Sequence, residues 1–272
     1  MTASPSPHVV RRGSGLPVVA LHGNGVDHRL LAALDPALEA VGGLERIYLD
    51  LPGFGQTPSL PAAAGGLPEL AAWTVEAVRT LTAGSPFALL ANSLGGLLAR
   101  HVRRELGDRV VGMALLAPVV HPEATKRTVP GLEVVDRDDD LLAGLDDADR
   151  EQFTAMGARL VPAAWERFAT SALPGIRAAD KRAMVHLSRR YALPQEPEAG
   201  LPPFTGPTLV VTGAQDHVVG HADQLELVRR HYPSATYAVL HGAGHNVHVD
   251  CPRPIEELVG HWAGDLSRVT AR

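Results

Sequence analysis

The stretch that decides the fold is Phe87–Arg100, which reads FALLANSLGGLLAR. It starts as an unbroken apolar run and continues as a helix with leucines on one stripe and arginines elsewhere. Between them, residues 91–95 place a serine between small residues, which is typical of a sharp strand-to-helix turn that lifts the serine above a sheet edge. Ala91 occupies the position where that pattern usually has glycine. The stretch predicts Ser93 as a nucleophile, although a helix N-cap serine has the same local sequence.

Five other short apolar runs resemble FALLA in being unbroken. Runs of this kind suit strands that are buried on both faces, and helical stretches alternate with them along the chain. The pattern therefore predicts an α/β fold with a doubly wound, mostly parallel sheet. The runs lie at residues 17–21, 46–51, 110–119, 208–212 and 236–240.

Residues 121–203, called the insertion below, interrupt this alternation, and no convincing strand pattern occurs there. An acidic helical stretch at 133–151 is followed by a basic one at 152–190. The two stretches either face each other with opposite charge or present two solvated helical faces. We predict a core domain formed by residues 1–120 and 204–272, with the insertion forming a helical cap.

The composition excludes several classes of protein. With 45% hydrophobic and 20% charged residues in a chain of 272, a sizeable core is expected rather than disorder. The net charge of −5 gives no attraction to phosphates, so no nucleic-acid partner is expected. The single Cys251 cannot form an intrachain disulfide. The sequence has no apolar run of membrane-spanning length and no signal peptide at its start, which predicts a cytoplasmic protein without a membrane partner. The oligomeric state is not decided.

Two further polar residues complete the chemistry that Ser93 needs. A serine hydroxyl requires a general base, and the base requires an acid that holds its tautomer. Asp216 in GAQDHVV and His245 in GAGHNVHVD each follow an apolar run. Functional residues of an open α/β sheet lie beyond the carboxyl ends of its strands, so the three side chains are expected to meet. We predict Ser93, Asp216 and His245 as the catalytic residues.

The stretch LHGNG at 21–25 also follows a strand and predicts part of an oxyanion hole. Its glycines allow the backbone to turn, and an oxyanion hole needs N–H groups aimed at the developing negative charge. We predict the N–H groups of Asn24 and Leu94 as the two donors, and His22 as a structural hydrogen-bonding residue. A small-molecule substrate is expected to contact Gly25, Trp165, Phe168 and Met156, although core packing explains the last three equally well.

No metal or cofactor is predicted. Asp136, Asp138 and Asp140 match the first ligand positions of a calcium loop, but the loop lacks its turn glycine. A solvated acidic helix start fits these aspartates better, since acids favour helix N-termini. His245 and His248 do not have the spacing of the usual zinc-binding helix.

Five stretches of the chain resemble the α/β-hydrolase superfamily. They occur in family order over residues 17 to about 265, which is nearly the whole chain. The resemblance implies an eight-stranded, mostly parallel sheet, and it implies that the insertion covers the active site as a helical cap. The stretches are LHGNG (21–25), DLPGFG (50–55), ANSLGG (91–96), GAQDHVV (213–219) and GAGHNVHVDCP (242–252).

The resemblance further implies a serine hydrolase that cleaves a small or medium, mostly apolar carboxylic ester or related acyl substrate through an acyl-enzyme. Ser93 stands where haloalkane dehalogenases and epoxide hydrolases use aspartate, which disfavours both activities. Residues 22–25 lack the Gly-Gly-Pro that follows the histidine in proline iminopeptidases. The alternatives that stay open are a carbon–carbon bond hydrolase, a menaquinone-pathway-type lyase, a lactonase, a cofactor-free perhydrolase and a non-enzymatic small-molecule receptor.

Overall fold

Each of the six apolar runs forms a strand of one sheet. The computed structural model of the protein describes residues 4–270, and the main sheet has the strand order β1-β3-β2-β4-β5-β8-β9. Strand β1 runs antiparallel to β3, and every other pair in this sheet is parallel. The strands are β1 (Val9–Gly13), β2 (Leu16–Leu21), β3 (Leu44–Leu49), β4 (Phe87–Asn92), β5 (Val110–Leu116), β6 (Asp136–Arg137), β7 (Arg159–Leu160), β8 (Thr208–Gly213) and β9 (Ala235–Leu240).

Helices cover both faces of this sheet, which confirms the doubly wound α/β class. On one face Leu70, Leu97 and Leu227 belong to one apolar cluster, and on the other Leu38 and Val259 belong to a second. Within residues 4–270, no helix is long and apolar enough to cross a bilayer. The helices are α1 (Arg29–Ala32), α2 (Asp35–Glu39), α3 (Leu67–Leu81), α4 (Leu94–Leu106), α5 (Asp139–Gly144), α6 (Asp147–Thr154), α7 (Pro162–Ser171), α8 (Leu173–Ala178), α9 (Lys181–Arg189), α10 (Ala222–His231), α11 (Val247–Asp250) and α12 (Pro252–Thr270).

The central strands explain why the apolar runs are unbroken. Every residue of β4 is buried, and β2 lies between β3 and β4 with Val19 paired to both Ile47 and Leu89. Alternate residues of β2 enter opposite apolar clusters, so neither face of the strand meets water. This burial is what requires apolar side chains at successive positions.

The edge of the sheet differs from the expectation in two ways. Strand β1 was not predicted because it is a half-exposed edge strand that contains Arg11 and Arg12. The resemblance implied eight strands, whereas the described residues form seven in this sheet. Residues 4–8, which precede β1, form no strand. Pro5 and Pro7 in this segment lack the N–H that a ladder of hydrogen bonds requires.

The insertion is mainly helical and contains α5 to α9. It also contains the two-residue parallel pair of β6 and β7, where no strand was expected. Asp138 caps α5 by accepting from the N–H of Leu141 at 2.8 Å, in agreement with the predicted acidic helix start. An ion pair between Arg177 and Asp149 joins the basic and acidic stretches. The limits of the core and cap domains stay a prediction, and residues 1–3 and 271–272 lie outside the described residues.

Candidate active site

Ser93 lies in a sharp turn between β4 and α4. Its backbone has φ 52° and ψ −114°, a conformation that costs a non-glycine residue about 1–3 kcal/mol. Neighbouring strands and turns hold it there: the Ser93 N–H donates to the Leu116 carbonyl at 3.0 Å, and the Ser93 carbonyl accepts from the N–H of Val119 at 3.1 Å. A strained serine at the end of a strand is typical of a nucleophile turn.

Two glycines allow the loop after β2 to lie directly against this turn. A Cβ at Gly95 would be 1.9 Å from the Leu21 carbonyl oxygen, and a Cβ at Gly23 would be 2.6 Å from the Asn92 side-chain oxygen. Real Cβ atoms do not tolerate either distance. The local sequence therefore brings the predicted oxyanion loop and Ser93 together.

The three predicted catalytic side chains form one hydrogen-bonded chain. His245 Nε2 lies 2.9 Å from Ser93 Oγ, and His245 Nδ1 lies 2.9 Å from Asp216 Oδ2. Ser93, Asp216 and His245 are 7%, 0% and 5% exposed. With Nδ1–H donating to the carboxylate, Nε2 is the acceptor for the Ser93 hydroxyl proton, which is the tautomer that a general base requires.

Asp216 is held as a carboxylate. Burial acts to raise its pKa, but the charge and hydrogen bond of His245 oppose this, as do the N–H groups of Val218 and Val219 at 2.8 and 3.0 Å. The net effect lowers the pKa of Asp216 below its ordinary value. A carboxylate in this position is able to orient the His245 ring and to stabilise an imidazolium on it.

The backbone N–H groups of Asn24 and Leu94 are the two predicted donors of the oxyanion hole. Asn24 lines the same cavity as Ser93, and Leu94 is the first residue of α4. In the described part of the chain, neither the Asn24 nor the Leu94 N–H donates to a protein acceptor. His22 is buried and supports the loop: Nδ1 donates to the Gly23 carbonyl at 2.7 Å, and Nε2 accepts from the Leu51 N–H at 2.9 Å. Burial lowers the pKa of His22, so it stays neutral in this structural role.

A cavity of about 810 Å³ opens over Ser93 and His245. Gly25, Met156 and Phe168 line it, and their contact with a substrate stays a prediction. Trp165 is not among the lining residues; its ring packs against Phe153 at 5.3 Å and Phe168 at 5.9 Å between centroids. Trp165 therefore lies behind the cavity wall, because its side of α7 packs on α6.

Several polar residues that line the cavity were not predicted from the sequence, and three of them lie on or just after α9. Lys181 and Arg189 are exposed on α9, and Tyr191 follows that helix. Their signal in the sequence was weak, because charged residues on an amphipathic helix usually face solvent. The cavity is thus mainly apolar with a cationic edge.

The described residues bring together one group of side chains with metal-binding chemistry, His8, His28 and Asp50. Each histidine Nδ1 lies 2.8 Å from a different Asp50 oxygen. Asp50 also accepts from the N–H groups of His28 and Gln56 at 2.9 and 3.0 Å. These contacts make the carboxylate a hydrogen-bonded bridge between the chain before β1 and the loops after β2 and β3.

The sheet is mostly parallel, and a strained serine lies at the end of one of its central strands. A histidine that follows a later strand contacts this serine, and an aspartate that follows another strand contacts the histidine. Together these features define an α/β enzyme of the hydrolase class. The chain belongs to the α/β-hydrolase fold family, whose model matches residues 17–252.

Comparison with individual proteins agrees with this family. The pimeloyl-[acyl-carrier protein] methyl ester esterase of Aeromonas hydrophila is 29% identical over 267 residues, which cover 95% of this chain and 100% of that protein. An α/β superfamily hydrolase from Oenococcus oeni superposes with a TM-score of 0.87 at 23% identity, covering 97% of this chain and 100% of that one. A thermophilic esterase from Thermogutta terrifontis superposes with a TM-score of 0.74 at 19% identity, covering 96% and 94%. The two structural similarities concern the fold alone.

Proposed function

We propose that this enzyme hydrolyses carboxylic esters with a small or medium, mostly apolar acyl group, using Ser93, His245 and Asp216. The observation that carries the proposal is the hydrogen-bonded chain from Asp216 through His245 to Ser93 Oγ, with both links at 2.9 Å, at the base of a cavity of about 810 Å³. That volume lies within the range of small-molecule sites. The esterase name of the Aeromonas relative also supports it.

In the acylation half of the reaction, Ser93 Oγ attacks the carbonyl carbon while His245 Nε2 takes the hydroxyl proton. The carbonyl electron pair moves onto oxygen, and the N–H groups of Asn24 and Leu94 stabilise the negative charge. When the tetrahedral intermediate collapses, the bond to the alcohol oxygen breaks and His245 returns the proton to that oxygen. The products are the free alcohol and an acyl ester on Ser93.

In the deacylation half, water takes the place of the alcohol. His245 removes a proton from the water as its oxygen attacks the acyl carbon, and the same two N–H groups hold the oxyanion. Collapse breaks the bond to Ser93 Oγ, which regains its proton from His245. The carboxylic acid leaves and the enzyme is restored.

A finer proposal concerns what carries the ester. The Aeromonas relative is named for a methyl ester on an acyl-carrier protein. Here Lys181 and Arg189 line the cavity edge, and neither has an acidic partner among the described residues. Cations in this position favour a substrate that presents negative charge outside the pocket, and the attraction weakens as salt is added. A carrier-bound acyl methyl ester has this shape, with an apolar chain inside and a charged carrier outside.

One panel tests these proposals. Short p-nitrophenyl esters, a lactone, a thioester, a dienone and a carrier-bound acyl methyl ester are offered to the wild type and to Ser93→Ala. Ester turnover that disappears in Ser93→Ala supports the proposal, whereas turnover of only the dienone would favour a carbon–carbon bond hydrolase. A salt-dependent preference for the carrier-bound ester, reduced in Lys181→Ala/Arg189→Ala, supports the finer proposal. Binding without turnover of any compound would indicate a receptor.

A further inference from the structure

Asp250, at the end of α11, is a buried carboxylate that binds two separate segments of main chain. Its Oδ2 accepts from the N–H of Gly244 at 2.7 Å and from the N–H of Ala158 at 3.1 Å. Its Oδ1 accepts from the N–H of Arg159 at 3.3 Å. Burial raises the pKa of Asp250, and the three N–H groups oppose that effect in part. No step of the ester mechanism uses this side chain.

The two segments that Asp250 joins both belong to the active site. Gly244 directly precedes His245, and Ala158 is two residues after Met156, which lines the cavity. The His245 N–H donates to the Met156 carbonyl at 3.1 Å. The hydrogen bonds therefore close a ring that runs from His245 to the Met156 segment, through Asp250, and back to Gly244.

The packing inside this ring leaves little freedom. A Cβ at Gly244 would lie 2.3 Å from the Met156 carbonyl oxygen and 3.1 Å from the Ala158 nitrogen. A second brace lies alongside, where Arg159 Nε donates to the Gly242 carbonyl at 3.1 Å. The position of the main chain at His245 is thus fixed by the insertion on one side and by Asp250 on the other.

We propose that Asp250 is a positioning residue for the general base: it holds the backbone of His245 against the insertion so that Nε2 meets Ser93 Oγ. The proposal rests on the serine ester hydrolysis proposed above. Displacement of a reacting group by about 1 Å costs up to about 100-fold in rate. Asp250 acts through Gly244 and the Met156 segment and does not touch the substrate.

The variant that tests this is Asp250→Asn. Asparagine has the same shape, but its amide has one acceptor oxygen, so it can keep the Gly244 and Ala158 bonds only by turning a donor NH2 toward the Arg159 N–H. We expect kcat for a short p-nitrophenyl ester to fall about 10- to 100-fold with KM within about threefold of the wild type. The rate at which a fluorophosphonate labels Ser93 falls in parallel. All rates are taken per active site titrated, so an unfolded fraction does not contribute.

Two further variants keep the test decisive. Asp35→Asn removes another buried carboxylate, which binds Arg46 and Tyr48 and does not line the cavity, and should lower thermal stability with kcat unchanged. Arg159→Ala removes the hydrogen bond that forms the second brace. The Arg159 side chain is partly exposed, so we expect this variant to fold. Its kcat should fall about threefold, because His245 is displaced in the same way. A wild-type kcat in folded Asp250→Asn overturns the proposal. If Asp250→Asn does not fold, a wild-type kcat in Arg159→Ala overturns it. Retention of activity in Ser93→Ala would instead overturn the ester mechanism itself.

Discussion

His245 Nε2 and Ser93 Oγ lie 2.9 Å apart although 152 positions separate the two residues in the chain. Ser93 directly follows β4, and His245 lies in the loop after β9, three strands away in the sheet order. Parallel strands bring their carboxyl ends to one edge, so the sheet itself creates this contact. Changes at either residue are therefore expected to affect chemistry more than folding.

Replacing the nucleophile separates its chemical role from its backbone strain. Ser93→Ala and Ser93→Gly should both lose about 10⁶-fold in turnover, because neither supplies a nucleophile. Ser93→Gly should be more stable than Ser93→Ala by about 1 kcal/mol, since glycine adopts φ 52° without the clash of a Cβ. Ester turnover and thermal unfolding of the two purified variants measure both effects. Equal stability of the two variants would show that the turn is not strained.

Asp216→Asn tests the acid that orients the base. The amide no longer offers a charged acceptor at His245 Nδ1, so the ring loses the tautomer that accepts the Ser93 proton, and kcat should fall about 10⁴-fold. The fold should persist, because the side-chain oxygen still accepts from Val218 and Val219. Asp223→Asn is the matched control: Asp223 also accepts a backbone N–H, from Thr128, and lies outside the catalytic chain. Comparable kcat in the two variants would contradict the assignment of Asp216.

The residues of the proposed catalytic arrangement could be chosen from the sequence because each lies shortly after a strongly apolar run. The strands could be recognised in the sequence because both of their faces are buried, which gives unbroken apolar runs. The fold then determines which strand ends meet. Strand β1 was not readable, because an edge strand containing Arg11 and Arg12 lacks that pattern.

Contacts made across the insertion were not predictable in the same way. Trp165 and Phe168 are three residues apart on α7, yet only Phe168 lines the cavity, and this depends on how the helix packs against α6. Asp250 appears in the sequence as one acid among thirty, and its three partners become visible only in the folded chain. Side chains that act through tertiary contacts leave no periodic signal in the sequence.

The buried ion pair of Arg100 and Glu198 should make stability fall in acid. Glu198 accepts from Arg100 Nε and Nη2 at 2.7 Å each, and although burial opposes ionisation, the arginine charge lowers the pKa of Glu198 to about 2. The depressed pKa contributes stability that is complete above the unfolded value of 4.5 and is lost as pH falls from there toward 2. Urea unfolding as a function of pH measures this loss.

Replacing one member of that pair should lower the free energy of unfolding more than replacing both. Glu198→Met alone leaves the buried Arg100 charge uncompensated and should cost about 3–5 kcal/mol at pH 7. Arg100→Met combined with Glu198→Met replaces the pair by apolar groups and should cost less than the sum of the single changes. Urea unfolding of the wild type, Glu198→Met, Arg100→Met and the double variant gives the coupling energy. Additive costs would mean that the two side chains do not stabilise each other.

His248 should also make stability depend on pH, over a range that lies mostly above that of Glu198. The side chain is buried, and burial lowers its pKa to about 4 although the backbone of Leu30 acts in the opposite direction. Below about pH 6.5 this histidine binds a proton in the unfolded chain, whereas in the folded protein it stays neutral down to about pH 4. The free energy of unfolding therefore decreases as pH falls through this window, by roughly 3 kcal/mol in all. His248→Leu removes that proton uptake and replaces the imidazole by an apolar side chain. The stability of the variant relative to the wild type should therefore increase steadily from pH 6.5 down to 4. Ester turnover at pH 7 should be retained. Urea unfolding of both proteins at matched pH values gives the difference, and parallel stability curves across the window would show that His248 is not a neutral buried group.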